Sequence, residues 1–162
     1  MISGIVLREH EYVLKDDRAS NPEDQTVFQI VPKTVRSQNE TAARYAGVST
    51  TDKKTGVTKL DKRKLDVVDD EEWGTAVKGV RNYFCPEGAP ESAYEFFLAE
   101  KASGASYLKE ATIKGIKGLL IVSTKDQEPL RRIRLSMCPD HVSEVMDAYY
   151  NYSQLSETEK NG

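Results

Sequence analysis

Apolar side chains recur along the chain in strand-like and helix-like patterns, and the first of these patterns lies near the amino terminus. The segments 5–14 and 26–31 are rich in Ile, Val, Leu, Tyr and Phe, which favour strands. The polar segment 15–25 between them contains Asn21-Pro22, a dipeptide that suits a turn. An antiparallel hairpin with a long loop is therefore predicted.

The clearest helical pattern lies in the middle of the chain. Asp69 can cap a helix, and Glu72 stands three positions later, as in a capping box. The apolar residues that follow at helical spacing are Trp73, Ala76, Val77, Val80 and Phe84. This spacing predicts a helix over residues 69–84 with one buried face.

Four other segments also have helical features. They are residues 35–46, 90–104, 107–118 and 139–155. Proline at the start of the second and the last of these segments suits a first helical turn, and glycine follows or closes the first two. The segment 107–118 contains two glycines, which weaken a helix. We therefore expect three to four helices in all.

A second hairpin is predicted in the last third of the chain. Residues 119–123 form an apolar run, which is typical of a strand. In residues 130–137, apolar side chains alternate with Arg132, Arg134 and Ser136, so that one face of this strand would be apolar and the other basic.

The order of these elements predicts an α+β fold. It lacks the strand-helix-strand repetition of a parallel nucleotide-binding fold. We expect one domain over residues 1–162, with two antiparallel hairpins, able to share one sheet, packed with three to four helices. If a strand edge such as 26–31 is uncovered, it could pair with a second copy, which makes a homo-oligomer plausible.

Two segments have the composition of flexible chain. Residues 48–64 are dominated by Ser, Thr, Gly, Asp and Lys, which predicts a basic flexible loop. Residues 156–162 are polar throughout, which predicts a flexible carboxyl-terminal tail.

Composition and charge exclude several classes of protein. The longest apolar run has four residues, far short of the roughly 20 that cross a bilayer, so no membrane partner is expected. The amino terminus lacks the pattern of a secretion signal, which favours the cytoplasm. The net charge of −3 does not favour capture of a nucleic acid by the whole molecule.

The residue types that carry out catalysis or bind metals are sparse. Cys138 and His141 could form a reactive thiol site at a helix start, but no third partner is visible, and two free thiols at Cys85 and Cys138 are the simpler interpretation. The acidic residues of segment 66–72 are explained by a capped helix start without a metal ion. No phosphate-binding glycine motif is present. We predict no catalytic residue, cofactor or metal site.

Local positive charge suggests a binding surface. The candidate residues are Lys53, Lys54, Lys62, Arg63, Lys64, Arg131, Arg132 and Arg134. They could contact phosphates if they converge in space, although a charge run on a small domain is usually a solvated surface. Tyr150 is a further candidate contact residue, because it lies off the apolar stripe of the last helix.

Three stretches of the chain resemble small accessory proteins of tailed bacteriophages and prophages. They are the opening hairpin with Asn21-Pro22 and residues 26–30, the stretch 77–84, and the ending 153–161. The chain is most similar in this respect to the tail-assembly chaperones, which bind other tail proteins during assembly. The second hairpin departs from that group, whose members are mainly helical. The resemblance carries over no site residue.

These observations lead to three hypotheses from different classes. The preferred one is a non-enzymatic phage-type protein that binds phage structural or assembly proteins in the bacterial cytoplasm or forms part of the virion. The alternative is a nucleic-acid-binding or host-takeover protein that uses the basic loop and Arg131 to Arg134. The third is a hydrolase or transferase whose site is assembled from distant residues.

Overall fold

A five-stranded antiparallel sheet organises the chain. The computed structural model describes residues 9–161, with side chains up to residue 153. The strands are β1 (His10–Val13), β2 (Val27–Ile30), β3 (Ser49–Thr51), β4 (Thr58–Leu60), β5 (Val77–Pro86), β6 (Leu108–Ile113) and β7 (Ile116–Thr124). The large sheet has the order β1-β2-β5-β7-β6, and β3 pairs with β4 in a separate two-stranded sheet.

Residues 9–161 also contain five α-helices. They are α1 (Val35–Ala46), α2 (Lys62–Ala76), α3 (Ala93–Ala102), α4 (Gln127–Ser136) and α5 (Pro139–Asn161). The antiparallel pairing of all strands and the segregated helices confirm the α+β class.

The first predicted hairpin is confirmed. Strand β1 pairs with β2 in register from His10 opposite Ile30 to Val13 opposite Val27. The predicted strand residues 5–8 lie outside the described residues. Because β2 also pairs with β5, the segment 26–31 is interior to the sheet and does not supply the free edge that the sequence suggested.

Three of the predicted helices form where the local signals placed them. Helix α1 begins after Thr34, whose hydroxyl accepts from the N–H of Ser37 in a capping box, and ends at Gly47. A single 3₁₀ turn starting at Pro90 precedes α3. Helix α5 begins at Pro139 as predicted and continues to Asn161, through most of the predicted tail.

The predicted helix over 69–84 is wrong at both ends. Helix α2 begins at Lys62, capped by the Asp61 carboxylate, and residues 77–86 form β5, the central strand. Apolar positions three and four apart fit a helix, but β-branched and aromatic residues also favour a strand that is buried between two others. In β5 the buried positions do not alternate regularly, and Asn82 has a positive φ of 56°. The apolar residues of β5 therefore lack the strict two-residue repeat that is typical of a strand.

The predictions for residues 107–118 and 130–137 are both wrong: the predicted helix is strand and the predicted strand is helix. The expected short helix is instead β6 and the start of β7, joined by Lys114 and Gly115, whose φ values of 52° and 80° suit a tight hairpin turn. The expected second strand is instead α4, in which Leu130 and Ile133 are buried one helical turn apart.

The predicted loop 48–64 contains regular structure. Strands β3 and β4 form a short hairpin, and Lys62, Arg63 and Lys64 belong to the first turn of α2.

One hydrophobic core lies between the helices and one face of the large sheet. The largest fully buried side chains include Trp73, Tyr149, Phe28 and Phe97. The indole N–H of Trp73 donates to the carbonyl of Leu130 at 3.1 Å, which joins α2 to α4 and satisfies the buried donor.

Candidate functional site

The predicted basic face of Arg131, Arg132 and Arg134 is largely neutralised. Arg131 Nε lies 3.3 Å from Asp70 Oδ2, and Arg134 pairs with the same carboxylate. Arg132 Nε lies 3.1 Å from Glu128, and its guanidinium lies 4.9 Å from the ring centroid of Phe96. These arginines therefore connect α4 to Asp70 of α2 and to Phe96 of α3.

The basic residues of segment 53–64 have a different environment. The five candidates Lys53, Lys54, Lys62, Arg63 and Lys64 are exposed. None of them forms an ion pair within 4 Å among the described residues. Arg63 and Lys64 also flank a shallow apolar groove between α1 and α2, beside Val67.

Tyr150 contacts a buried ion pair that the sequence did not reveal. Glu72 is 1% exposed, and its carboxylate lies 2.7 Å from Lys33 Nζ. The hydroxyl of Thr41 donates to the same carboxylate at 2.8 Å, and that of Tyr150 donates at 3.4 Å. The Lys33 ammonium also lies 4.7 Å from the ring centroid of Tyr150. Burial and the nearby Glu72 charge raise the pKa of Tyr150 to about 12.

A polar cavity of about 260 Å³ lies beside this ion pair, between α2, α4 and α5. Its wall includes Glu72, Asp69, Arg134 and Tyr150. The Tyr45 hydroxyl donates to Asp69 at 2.8 Å, and burial together with Asp69 raises the pKa of Tyr45 above its usual range. Because these wall charges have protein partners, we interpret the cavity as part of the contact between helices.

The β6–β7 hairpin presents an apolar surface on the side away from the core. Ile113 lies opposite Ile116, and Leu120 lies opposite Phe84 of β5. Residues two apart on a strand share a face, so Ile116, Leu120 and Val122 lie together. We call this surface the hairpin face and define it by Phe84, Ile113, Ile116, Leu120 and Val122.

Much of the hairpin face is accessible to solvent. Ile113 is 42% exposed, Ile116 is 53% exposed and Val122 is 42% exposed. The ring of Phe84 lies across Gly118, where an added Cβ would come within 2.7 Å of two ring carbons. The opposite side of the same strands carries Leu119 and Ile121, which are buried in the core.

The hairpin is also positively charged. Lys109, Lys114 and Lys117 are all exposed. Its one carboxylate, that of Glu110, lies 2.9 Å from Lys101 of α3, and this contact lowers the pKa of Glu110. No sequence-based prediction named this surface, because residues 113–118 were interpreted as helix.

The histidine of the candidate thiol site lies beside a carboxylate. His141 Nε2 lies 3.1 Å from the Asp16 carboxylate, and Cys138 is an exposed free thiol. Cys85 is also free but fully buried, and burial together with the Glu95 charge raises its pKa to about 11. A thiol with a raised pKa is a poor nucleophile at neutral pH.

The acidic residues of α2 form contacts with their neighbours. Asp70 binds Arg131 and Arg134, and Glu71 Oε2 lies 3.2 Å from Arg44 Nε. Glu72, which was predicted to complete a capping box, is buried instead. These residues therefore tie α2 to α1 and α4.

Comparisons with protein-family models, curated proteins and solved structures find no match to the chain. Across residues 9–161, none of the helices combines the length and the apolar content that crossing a membrane requires.

Proposed function

We propose that the protein is non-enzymatic and binds partner proteins, acting as a phage-type protein in tail or virion assembly or as part of the particle. The observation that carries the binding role is the hairpin face, in which three large apolar side chains are each more than two-fifths exposed. Neighbouring exposed apolar residues on a sheet are typical of sites where another macromolecule binds.

Covering this surface would contribute favourably to association. Fully burying an Ile or Val contributes about 1.5 to 3 kcal/mol, so covering a side chain that is already about half buried contributes roughly half of that. Several neighbouring side chains of this kind can act as a hot spot at the centre of an interface. The antiparallel sheet holds them in fixed positions, since β7 pairs on both sides with β5 and β6.

The phage-type part of the proposal is supported by the resemblance of the opening hairpin, residues 77–84 and the carboxyl-terminal stretch to tail accessory proteins. Binding of tail or capsid proteins would place the molecule in the host cytoplasm during assembly or in the finished particle.

The test is a pull-down of the full chain from cells that express the neighbouring genes. We expect recovery of a tail or capsid protein, and we expect Ile116→Asp to abolish it, because a carboxylate would be desolvated at the interface. The matched control is Val35→Asp, since Val35 is 64% exposed and lies at the start of α1, outside the strands of the large sheet. Repeated recovery of no such protein, or equal recovery with both variants, would count against the proposal.

Nucleic-acid binding is the alternative, and it is favoured by five exposed cations, Lys53, Lys54, Lys62, Arg63 and Lys64. No ion pair within the described part of the chain holds them, so they could contact phosphates. The three arginines contribute less than the sequence suggested, because carboxylates hold them. A gel-shift assay from low to physiological salt separates the two functions, and a complex that survives at physiological salt would favour the alternative.

A further inference from the structure

We infer that the outer edge of β6 receives an extended segment of the partner protein, in which apolar side chains alternate and acidic residues flank them. This inference rests on the proposed function and specifies how the partner binds. It follows from the hydrogen-bonding pattern of the edge, from the surfaces on either side of it and from its charge.

The first argument concerns the backbone. The N–H of Val122 donates to the carbonyl of Tyr107 at 2.9 Å, and in an antiparallel pair such bonds recur at every second residue. The backbone groups of Leu108, Glu110 and Thr112 therefore point away from β7. Since β6 is the last strand of the sheet, these groups have no strand partner in the described part of the chain.

The second argument concerns side chains. On one side of the edge lies the hairpin face, with Ile113 nearest. On the other side a groove of about 370 Å³ runs between α3 and the hairpin, and Tyr94, Leu98 and Thr112 contribute to its walls. Leu98 is 45% exposed. Successive side chains of an added strand point to opposite faces, so they would alternate between the hairpin face and the groove.

The third argument concerns charge. The hairpin has three lysines (Lys109, Lys114 and Lys117) and one glutamate (Glu110), which gives a net charge of +2, whereas the whole chain has a net charge of −3. Lysines beside a strand edge discourage pairing between identical copies. A second copy of this edge would bring two hairpins of +2 together, whereas acidic residues flanking an apolar segment would be attracted.

The opposite edge of the sheet differs from the β6 edge. Within the described residues β1 has four residues, and α5 packs against its side chains: the Tyr12 hydroxyl donates to Glu144 at 2.7 Å, and the rings of His10 and Tyr152 stack with centroids 4.3 Å apart. Strand β6 has six residues. The longer edge is therefore the better receptor for an extended segment.

The experiment is a selection of binders to the full chain from a random library of twelve-residue peptides. We expect the enriched peptides to carry Val, Ile or aromatic residues at alternate positions, with Asp or Glu near the ends. Synthetic copies of them are then measured by fluorescence anisotropy. Two versions of each peptide are then made, one methylated at the odd-numbered backbone amides and one at the even-numbered amides. One version should bind at least tenfold more weakly and the other little changed, because only one of the two sets of amides faces β6.

Two variants test the edge directly. Thr112→Pro removes an outward N–H without removing a bond to β7, and it should weaken peptide binding at least tenfold. Lys109→Glu with Lys114→Glu should weaken it by a similar factor at low salt and by less at high salt. The matched control, Lys53→Glu with Lys54→Glu, makes the same charge change on the β3–β4 turn and should leave the affinity unchanged. Circular dichroism checks that each variant is folded.

Several results would overturn the inference. One is a selection that enriches no peptide, or that enriches peptides that are basic or lack alternating apolar residues. Another is unchanged affinity for both methylated versions of a peptide. A third is full affinity in a folded Thr112→Pro variant. A monomeric Thr112→Pro beside a dimeric wild type in sedimentation would assign the edge to a second copy. The pull-down distinguishes the two proposals. If Ile116→Asp loses the partner protein but Thr112→Pro still binds it, the proposed function is supported and the binding of a partner strand at β6 is contradicted.

Discussion

Glu72 and the hairpin face are opposite exceptions to the usual distribution of side chains. Glu72 is a carboxylate that is 1% exposed, whereas Ile116 is a large apolar side chain that is 53% exposed. The buried carboxylate has a full set of partners, since Lys33, Thr41 and Tyr150 all approach it. Within the described residues, no other element of the chain covers the hairpin face.

This difference leads to different expectations for the two regions. A buried charge is tolerated only when ion pairing and hydrogen bonds offset its desolvation, and that condition is met around Glu72. A contiguous exposed apolar surface is typical of a site that another molecule covers. Changes at the first region should therefore affect folding, and changes at the second should affect binding.

The largest expected effect is that of Glu72→Ala. It would leave the Lys33 ammonium, which is 7% exposed, without its partner, and removal of one member of a buried pair destabilises by about 3 to 5 kcal/mol. Urea unfolding measures the loss. The adjacent Glu71→Ala is the control, because Glu71 is 50% exposed and its contact with Arg44 is worth less than about 1 kcal/mol. Equal losses in the two variants would show that burial of Glu72 does not matter for stability.

The pH dependence of stability should reflect Cys85, which follows Phe84 in β5 and is buried. Burial raises its pKa from 9.0 to about 11 in the folded protein. The folded state therefore holds the proton more tightly than the unfolded chain, so this stabilisation is present below pH 9 and is lost as the pH rises from 9 to 11. A shift of this size corresponds to about 2 to 3 kcal/mol.

The check is to measure urea unfolding of the wild type and of Cys85→Ala at pH 8 and pH 11. Loss of the thiol leaves a small cavity, whose penalty does not depend on pH. The free energy of unfolding of the wild type should fall more steeply than that of the variant. Parallel curves would mean that the thiol ionises equally easily in the folded and unfolded states.

Packing on the hairpin face itself can be tested at Gly118. An added Cβ would meet the ring of Phe84 and the carbonyl oxygen of Cys85, so Gly118→Ala should destabilise by about 1 to 3 kcal/mol. Gly88→Ala is the matched control, because no heavy atom lies within 4 Å of its added Cβ. If thermal unfolding shows the same midpoint for both variants, Phe84 is not packed against Gly118.

Local signals in the sequence were sufficient for some elements. Helix α1 is bounded by a capping residue and Gly47, and the first hairpin surrounds a polar segment, so neither depends on distant contacts. The stretches 77–86 and 130–137 differ, because apolar residues in them satisfy both helical and strand spacing. Whether these stretches form a helix or a strand depends on strand pairing and on packing against the sheet, and the spacing of apolar residues does not show these contacts.

The candidate site was predictable only in part. Arg134 and Tyr150 were named as contact residues, but their partners Asp70 and Glu72 lie 64 and 78 positions away in the sequence. Lys33 gave no signal, since a lone lysine after a proline is common on a surface. The hairpin face was missed because its turn, at Lys114 and Gly115, was interpreted as a weak point in a helix.

The smallest expected effect on stability is that of Ile116→Thr on the hairpin face. Ile116→Thr keeps a β-branched side chain on β7 and removes apolar surface that is 53% exposed, so the free energy of unfolding should change by less than about 0.5 kcal/mol. Partner binding should nevertheless weaken at least tenfold, because the same methyl groups would be buried in the complex. A loss of stability comparable to that of Glu72→Ala would mean that the hairpin face belongs to the folded core, and the distinction between the two regions would fail.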